Sequence, residues 1–243
     1  MLGPVELVPF AVFVLSGLVQ GTAGFGGSLV AMAFLPLVWE LQTAVGVSAV
    51  FGIVVPVALA IRLWRHVQWR EVAGVLLAAV VGVPMGVYLL HNVPARWVKL
   101  ALGIILVSHG TWSLLGGRGS TGMSSRWGPV AGLTGGMLSG AFSTAGPPIL
   151  VYATGRAWPK DTFRGNLQAI FLTTGVLSLI GFAATGVVTA ATFQTNLTLL
   201  PALLAGGFFG HLLSGRIDQD RFRRIVLIGL LVMGGNYIVR ALT

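Results

Sequence analysis

Apolar residues run through this chain in long blocks, and polar residues collect in short gaps between them. The blocks fall at roughly 5–39, 43–63, 71–91, 97–116, 128–157, 165–185, 190–213 and 222–242. Six have the length of a single membrane-crossing helix, which needs about 20 apolar residues. The first and fifth are too long for one straight span and too short for two. Each is interrupted by a stretch of small residues: Gly21–Ser28 reads G-T-A-G-F-G-G-S and Gly140–Pro148 reads G-A-F-S-T-A-G-P-P. Such glycine density makes a poor helix interior. Irregular backbone is tolerated in hydrocarbon only where protein or a water-filled cavity satisfies its polar groups. The pattern therefore predicts an all-α fold of two similar halves. Each half is a re-entrant or broken helical hairpin followed by three transmembrane helices.

Composition sharpens this picture. The chain is 55% apolar and 9% charged, with a mean hydropathy of +0.89, as in polytopic membrane proteins and unlike ordinary soluble domains. Trp39, Trp64, Trp69, Trp97, Trp112, Trp127 and Trp158 lie near block ends, the pattern of an aromatic belt. The formal charge of +9 does not imply nucleic acid, because the basic residues sit in short clusters between apolar blocks, as cytoplasmic loops do. The absence of cysteine excludes disulfides and thiolate metal sites. The apolar N-terminal stretch carries Glu6 and no basic region before it, unlike a cleaved signal peptide. The expected location is the cell inner membrane, as a multi-pass protein.

The two halves repeat. A shift of 119 residues places Gly17 on Gly136, Gly21 on Gly140, Gly27 on Gly146 and Trp39 on Trp158. A shift near 125 later places Arg96 on Arg221 and Gly110 on Gly235. The domain organisation read from this is a first repeat at 1–116, a Gly/Ser-rich cytoplasmic linker at 117–127, and a second repeat at 128–243. Charge tests the orientation. If both hairpins are re-entrant, twelve of the 15 Lys and Arg residues fall on one face, and Arg96, Lys99 and Arg240 fall on the other. If the first segments simply cross, the division is nine to six. The positive-inside rule favours the hairpins, with six full spans, both termini outside and inverted halves. A spanning broken helix is the alternative.

In this arrangement the second arm of each hairpin starts near Gly27 and near Gly146, and the two breaks are expected to face one another near the membrane midplane. First-turn N–H groups lack intrahelical partners, and the helix dipole adds partial positive charge, so helix N-termini bind anions. Gly24, Gly26, Gly27 and Gly146 let an oxyanion approach the backbone closely. Gln20, Thr22 and Ser28 in the first break, and Ser139, Ser143 and Thr144 in the second, carry hydrogen-bond donors. Asn166 and Gln168, early in the sixth block, line a cavity or bond between helices. Gly17, Gly132 and Gly136 read as packing positions. No cofactor or metal site is implied. The expected partners are a small anion and the lipid bilayer, with no nucleic acid and self-association left open.

The paired breaks, G-F-G-G-S at Gly24–Ser28 and A-G-P-P at Ala145–Pro148, resemble those of the TauE/SafE family, the sulfite exporter or toluene-sulfonate uptake permeases. Length, block count and duplication agree along essentially the whole chain. The resemblance implies a transporter of sulfur-containing anions such as sulfite, sulfoacetate or other organosulfonates. An anion channel and a carrier of small carboxylates are the nearest alternatives. From another class, Ser143 and His211 superficially match an intramembrane serine–histidine dyad, a reading that leaves the duplication of the break unexplained.

Overall fold

The computed structural model describes residues 4–116, 122–213 and 218–243. Among these it is all helical, with ten α-helices and no strand. They are α1 (Pro4–Ala23), α2 (Gly27–Phe34), α3 (Leu41–Leu63), α4 (Trp69–Asn92), α5 (Ala95–Leu114), α6 (Gly128–Phe142), α7 (Gly146–Gly155), α8 (Lys160–Ala184), α9 (Ala190–Leu213) and α10 (Gln219–Leu242). Helix ends have local causes. Between α4 and α5, Val93 precedes Pro94 and is forced into extended backbone (φ −95°, ψ 135°). Pro94 then stands at the N-cap of α5.

Among the described residues, five helical stretches are long and apolar enough to cross a membrane: Trp69–Asn92, Ala95–Leu114, Lys160–Ala184, Ala190–Leu213 and Arg224–Leu242. Shorter apolar stretches cover Leu7–Ala23, Gly27–Leu37 and Leu41–Val54. Only 28–39% of each long stretch is buried within the protein. Side chains such as Leu77, Ile180, Phe208 and Ile225 lie outside. Apolar surface on that scale is a lipid-facing surface. Trp64, Trp69, Trp97 and Trp127 are exposed at helix ends.

The chain forms two compact units that divide both sequence halves. The first takes Met1–Phe51, Pro94–Leu115 and Val188–Thr243; the second takes Gly52–Val93 and Gly116–Val187. Within the first unit α1 packs on α9 and α5 on α10; within the second, α4 packs on α6 and α8. Phe13 and Phe51 meet edge to face at 4.5 Å in the core of the first unit.

Glycine sets the closeness of these pairs. A Cβ on Gly17 or Gly21 of α1 would overlap the carbonyl oxygens of Leu203 or Gly207, and one on Gly206 of α9 would overlap that of Val14. The second unit repeats the device. Cβ atoms on Gly132 and Gly140 of α6 would overlap the carbonyls of Val75 and Val83, and one on Gly86 of α4 that of Met137. Small residues let helix backbones approach where lipid supplies no hydrophobic drive between them. Gly17, Gly132 and Gly136 are thus packing positions. Gly21 and Gly140, expected within the breaks, are also packing positions inside α1 and α6; the irregular backbone is shorter than the sequence suggests.

The 117–127 linker lies partly outside the described residues, as do Arg118 and Arg216. Its distal end is held: Gly122 and Met123 N–H both donate to the Gly155 carbonyl, at 3.0 and 2.9 Å. Arg156 donates to the Met123 carbonyl (2.7 Å) and pairs with Glu71 at the start of α4.

Replacing Gly132 by Val inserts three carbons against the Val75 carbonyl, and overpacking of this kind costs about 1–3 kcal/mol. We expect Gly132→Val to lower the thermal midpoint of the detergent-purified protein clearly. Gly235→Ala, where the added carbon meets nothing within 4 Å, should leave it unchanged or raise it slightly.

Candidate functional site

The first break lies at Gly24–Gly26, between α1 and α2. Gly24 (φ +83°) and Gly26 (φ +92°) both take left-handed backbone, which glycine adopts without a Cβ penalty. The chain turns back there, so that Gly27 sits against α1: a Cβ on it would lie 2.8 Å from the Ser16 carbonyl. Gln20 holds the turn. Its carbonyl accepts from Gly24 N–H (2.8 Å), and its side-chain Oε1 accepts from Gly27 N–H (2.9 Å). Val30 is the first to bond back toward the helix start, at 3.2 Å to Gly26 O. Ser28 and Leu29 therefore carry the first-turn N–H groups of α2 that have no intrahelical acceptor.

These contacts revise the roles read from sequence. Gln20 is an acceptor for the backbone of its own break, and only its amide NH2 remains to face outward. Thr22 spends its hydroxyl proton inside α1, on the carbonyls of Leu18 (2.9 Å) and Val19 (3.1 Å). Ser28 is half-buried on the first turn of α2. Beside Gly24 there is open space within 4 Å of where a Cβ would stand. Ser16, which sequence reasoning passed over, is 2% exposed, and its hydroxyl has no hydrogen-bond partner. It lies four residues before Gln20 and so on the same helix face, the signal that would have found it.

The second break, Ser143–Ala145 between α6 and α7, is built differently. Ser143 N–H bonds Ser139 O (2.8 Å) and Thr144 N–H reaches Leu138 O (3.5 Å), a helix C-terminal motif that normally takes glycine in its left-handed position. Here that position is Ser143 itself (φ 53°). Helix α7 starts at Gly146 and continues into Pro147 and Pro148, which remove two first-turn N–H donors. What the break keeps is hydroxyl chemistry. Thr144 is 2% exposed, and its Oγ1 has no partner. The Ser143 hydroxyl points toward Gly52 of α3, 3.8 Å from where a Cβ would lie.

The structure does not bring Asn166 to this break. Asn166 is fully buried in α8, and its Oδ1 accepts from Gln68 N–H (2.8 Å) at the start of α4; its Nδ2 has no partner. Gly175 packs against Ile53, next to the Gly52 that Ser143 approaches. A rise of 1.5 Å per residue sets Asn166 about 13 Å along α8 from that level. Gln168 is buried two residues further. The α8 hydroxyl of Ser178 instead shares a 2.9 Å bond with Ser139. The two breaks belong to separate units, as do Ser143 and His211. Among the described residues no cluster of His, Asp or Glu is placed to hold a metal ion.

The family model described as Sulfite exporter TauE/SafE matches residues 9–237. Over 174 residues the chain is 26% identical to a protein of Comamonas testosteroni named probable inner membrane transporter protein TsaS, covering 70% of this chain and 72% of that one. Over 235 residues it is 25% identical to the probable sulfite/organosulfonate exporter TauE of Cupriavidus necator, covering 92% and 90%. No solved structure matches.

Left-handed backbone costs an L-residue about 1–2 kcal/mol relative to glycine. Ser143→Gly should therefore raise the thermal midpoint, whereas Ser143→Val, β-branched at the same φ, should lower it.

Proposed function

Because the match through residues 9–237 makes this chain a member of the sulfite exporter TauE/SafE family, we propose that it is a secondary transporter of small sulfur-containing anions in the cell inner membrane. The substrates of this reading are sulfite, sulfoacetate and other organosulfonates, the class named for the Cupriavidus relative. The family is one of transporters and not of enzymes, which sets the serine hydrolase alternative aside.

In this reading each break is, by itself, a place where the anion binds. The first supplies the N–H groups of Ser28 and Leu29, which lack an intrahelical acceptor at the positive end of α2, with the Gln20 amide and the Ser28 hydroxyl. Gly24 and Gly26 leave room for an oxyanion. The second supplies the Ser143 and Thr144 hydroxyls and the Gly146 N–H. Neither break contains a Lys or Arg. Partial charges and hydroxyls replace part of the hydration shell without holding the ion as a full cation would, and conduction needs that balance.

One observation carries the proposal: the Thr144 hydroxyl is buried without a partner directly before α7. An unsatisfied buried hydroxyl costs about 1–3 kcal/mol, a cost that a ligand oxygen removes. Thr144→Val keeps the shape and deletes the hydroxyl. It should leave the thermal midpoint unchanged or higher, yet weaken sulfite or sulfoacetate binding about tenfold, the worth of one hydrogen bond to a charged group. Equal affinity in wild type and Thr144→Val would remove the second break as a binding place.

Gln20→Glu tests the first break at pH 8. The carboxylate still accepts from Gly27 N–H, so the protein folds, but its charge repels an anion and saturable sulfonate flux into proteoliposomes should fall at least tenfold. Unsaturable halide conductance in the wild type would replace the carrier by a channel. Saturable flux of small carboxylates alone would change the substrate class.

A further inference from the structure

Arg96, Lys99 and Arg240, the three cations set apart from the other twelve by the charge count, converge on one cavity of the first unit. It has a volume of about 320 Å³, within the range of small-molecule sites. Arg96 and Lys99 come from the first turns of α5, and Tyr237 and Arg240 from the last turns of α10. Pro36 and Leu37, just past α2, complete the wall. The frame is tightly held. Gly103 of α5 and Gly234 of α10 lie against one another, a Cβ on either standing 2.7–2.9 Å from the other's carbonyl oxygen. Tyr237, 2% exposed, donates its hydroxyl to Ala33 O at 3.0 Å.

The charge in this cavity is not balanced by protein. No Asp or Glu lines it. The ion pairs among the described residues, Glu71–Arg156 and Asp218–Arg221, involve none of its three cations. Arg96 donates its Nε–H to the Ala241 carbonyl at the end of α10, which answers the negative end of that helix, equivalent to about half a charge. About two and a half positive charges remain. A carboxylate on Thr243 would take one more and leave the sign unchanged. The other guanidinium nitrogens of Arg96, the Arg240 guanidinium and the Lys99 ammonium are free of carboxylate partners, and two guanidinium forks with an ammonium suit a phosphate-type oxyanion.

The surroundings indicate how that oxyanion arrives. Trp97, over whose ring the Arg96 guanidinium stands at 5.7 Å, is exposed, as are Val239 and Leu242 on α10. In a membrane protein these apolar side chains meet acyl chains, and Trp marks the headgroup level. A cationic recess bordered by lipid-facing side chains is the form of an anionic-lipid headgroup site.

We propose that the cavity between the ends of α5 and α10 binds a phosphate-type oxyanion, carried by the headgroup of an anionic phospholipid. The site is separate from the residues assigned to the breaks and stands whether or not the chain transports sulfonates.

The test is a titration of the full-length, detergent-purified protein, followed by its thermal midpoint. Phosphatidylglycerol, phosphatidylcholine and inorganic phosphate are added in separate arms. Phosphatidylglycerol should raise the midpoint well beyond phosphatidylcholine. Lys99→Gln/Arg240→Gln, which removes two cations and spares the Arg96–Ala241 bond, should need roughly 25-fold more phosphatidylglycerol for the same rise, about fivefold per cation. Arg96→Gln should weaken the response further if it folds. A rise with inorganic phosphate alone, lost in the double variant, supports the oxyanion site but assigns it to a soluble ligand. No selective rise in either anionic arm, or an equal rise in wild type and double variant, overturns the proposal. Sulfonate flux by the double variant in phosphatidylcholine vesicles, where no anionic lipid is present, reports on the transport reading separately.

Discussion

Backbone N–H and C=O groups must be paired when water is absent, and this constraint shapes the whole chain. Continuous helices meet it without further help. The two breaks do not, and most of their local chemistry answers the deficit. Gln20 closes the first turn with both its main-chain and side-chain oxygens. In the second break Ser139 and Leu138 take the N–H groups of Ser143 and Thr144, while Pro147 and Pro148 have no N–H to satisfy. What survives includes the first-turn N–H groups of Ser28 and Leu29 on α2 and the buried hydroxyls of Ser16 and Thr144. On the reading proposed above, a passing anion is what meets those groups.

The same problem is solved twice with different residues. Glycine supplies left-handed backbone at Gly24 and Gly26, whereas Ser143 supplies it at the cost of strain. The first break keeps its N–H donors and the second loses two to proline but keeps hydroxyls. By contrast the packing around the breaks recurs closely. Gly17 and Gly21 of α1 meet α9, and Gly136 and Gly140 of α6 meet α4. These are the glycines that a shift of 119 residues superposes. The helix contacts thus recur where a single added carbon collides with backbone, and the tips differ where several side-chain chemistries close the same turn.

Much of this was legible in the sequence because the signals are local. The apolar blocks locate the helices, and the start of α2 at Gly27 follows from Gly24 and Gly26 breaking one helix and permitting the next, whereas α6 ends at a left-handed Ser143 that no glycine marks. Other features were hidden. Gly21 and Gly140 look the same in sequence whether glycine frees the backbone or lets a carbonyl approach, and only the neighbouring helix decides between them. Asn166 looks like a cavity-lining amide, but its partner is Gln68, 98 residues earlier, a pairing that no periodicity encodes. For the same reason nothing in the chain order announces that α1 packs with α9 and α6 with α4. Nor did the charge count show that Arg96, Lys99 and Arg240 share one cavity, since they come from helices more than a hundred residues apart.

The distribution of full and partial charge has a physical logic. Among the described residues every Lys and Arg lies in a connection or within the first or last two turns of a helix, where solvent or headgroups stabilise it. The cavity of α5 and α10 is such a place, and on the proposal above its full cations hold a ligand that stays. The breaks carry only dipoles, amides and hydroxyls. A buried ammonium or guanidinium would face a desolvation penalty of several kcal/mol and would repay it only while an anion was present, which makes release slow. Backbone and hydroxyl donors carry a far smaller penalty when empty, so loading and unloading differ little in free energy. On the two proposals together, a retained anion lies where this chain places its full charges and a passing one where it withholds them.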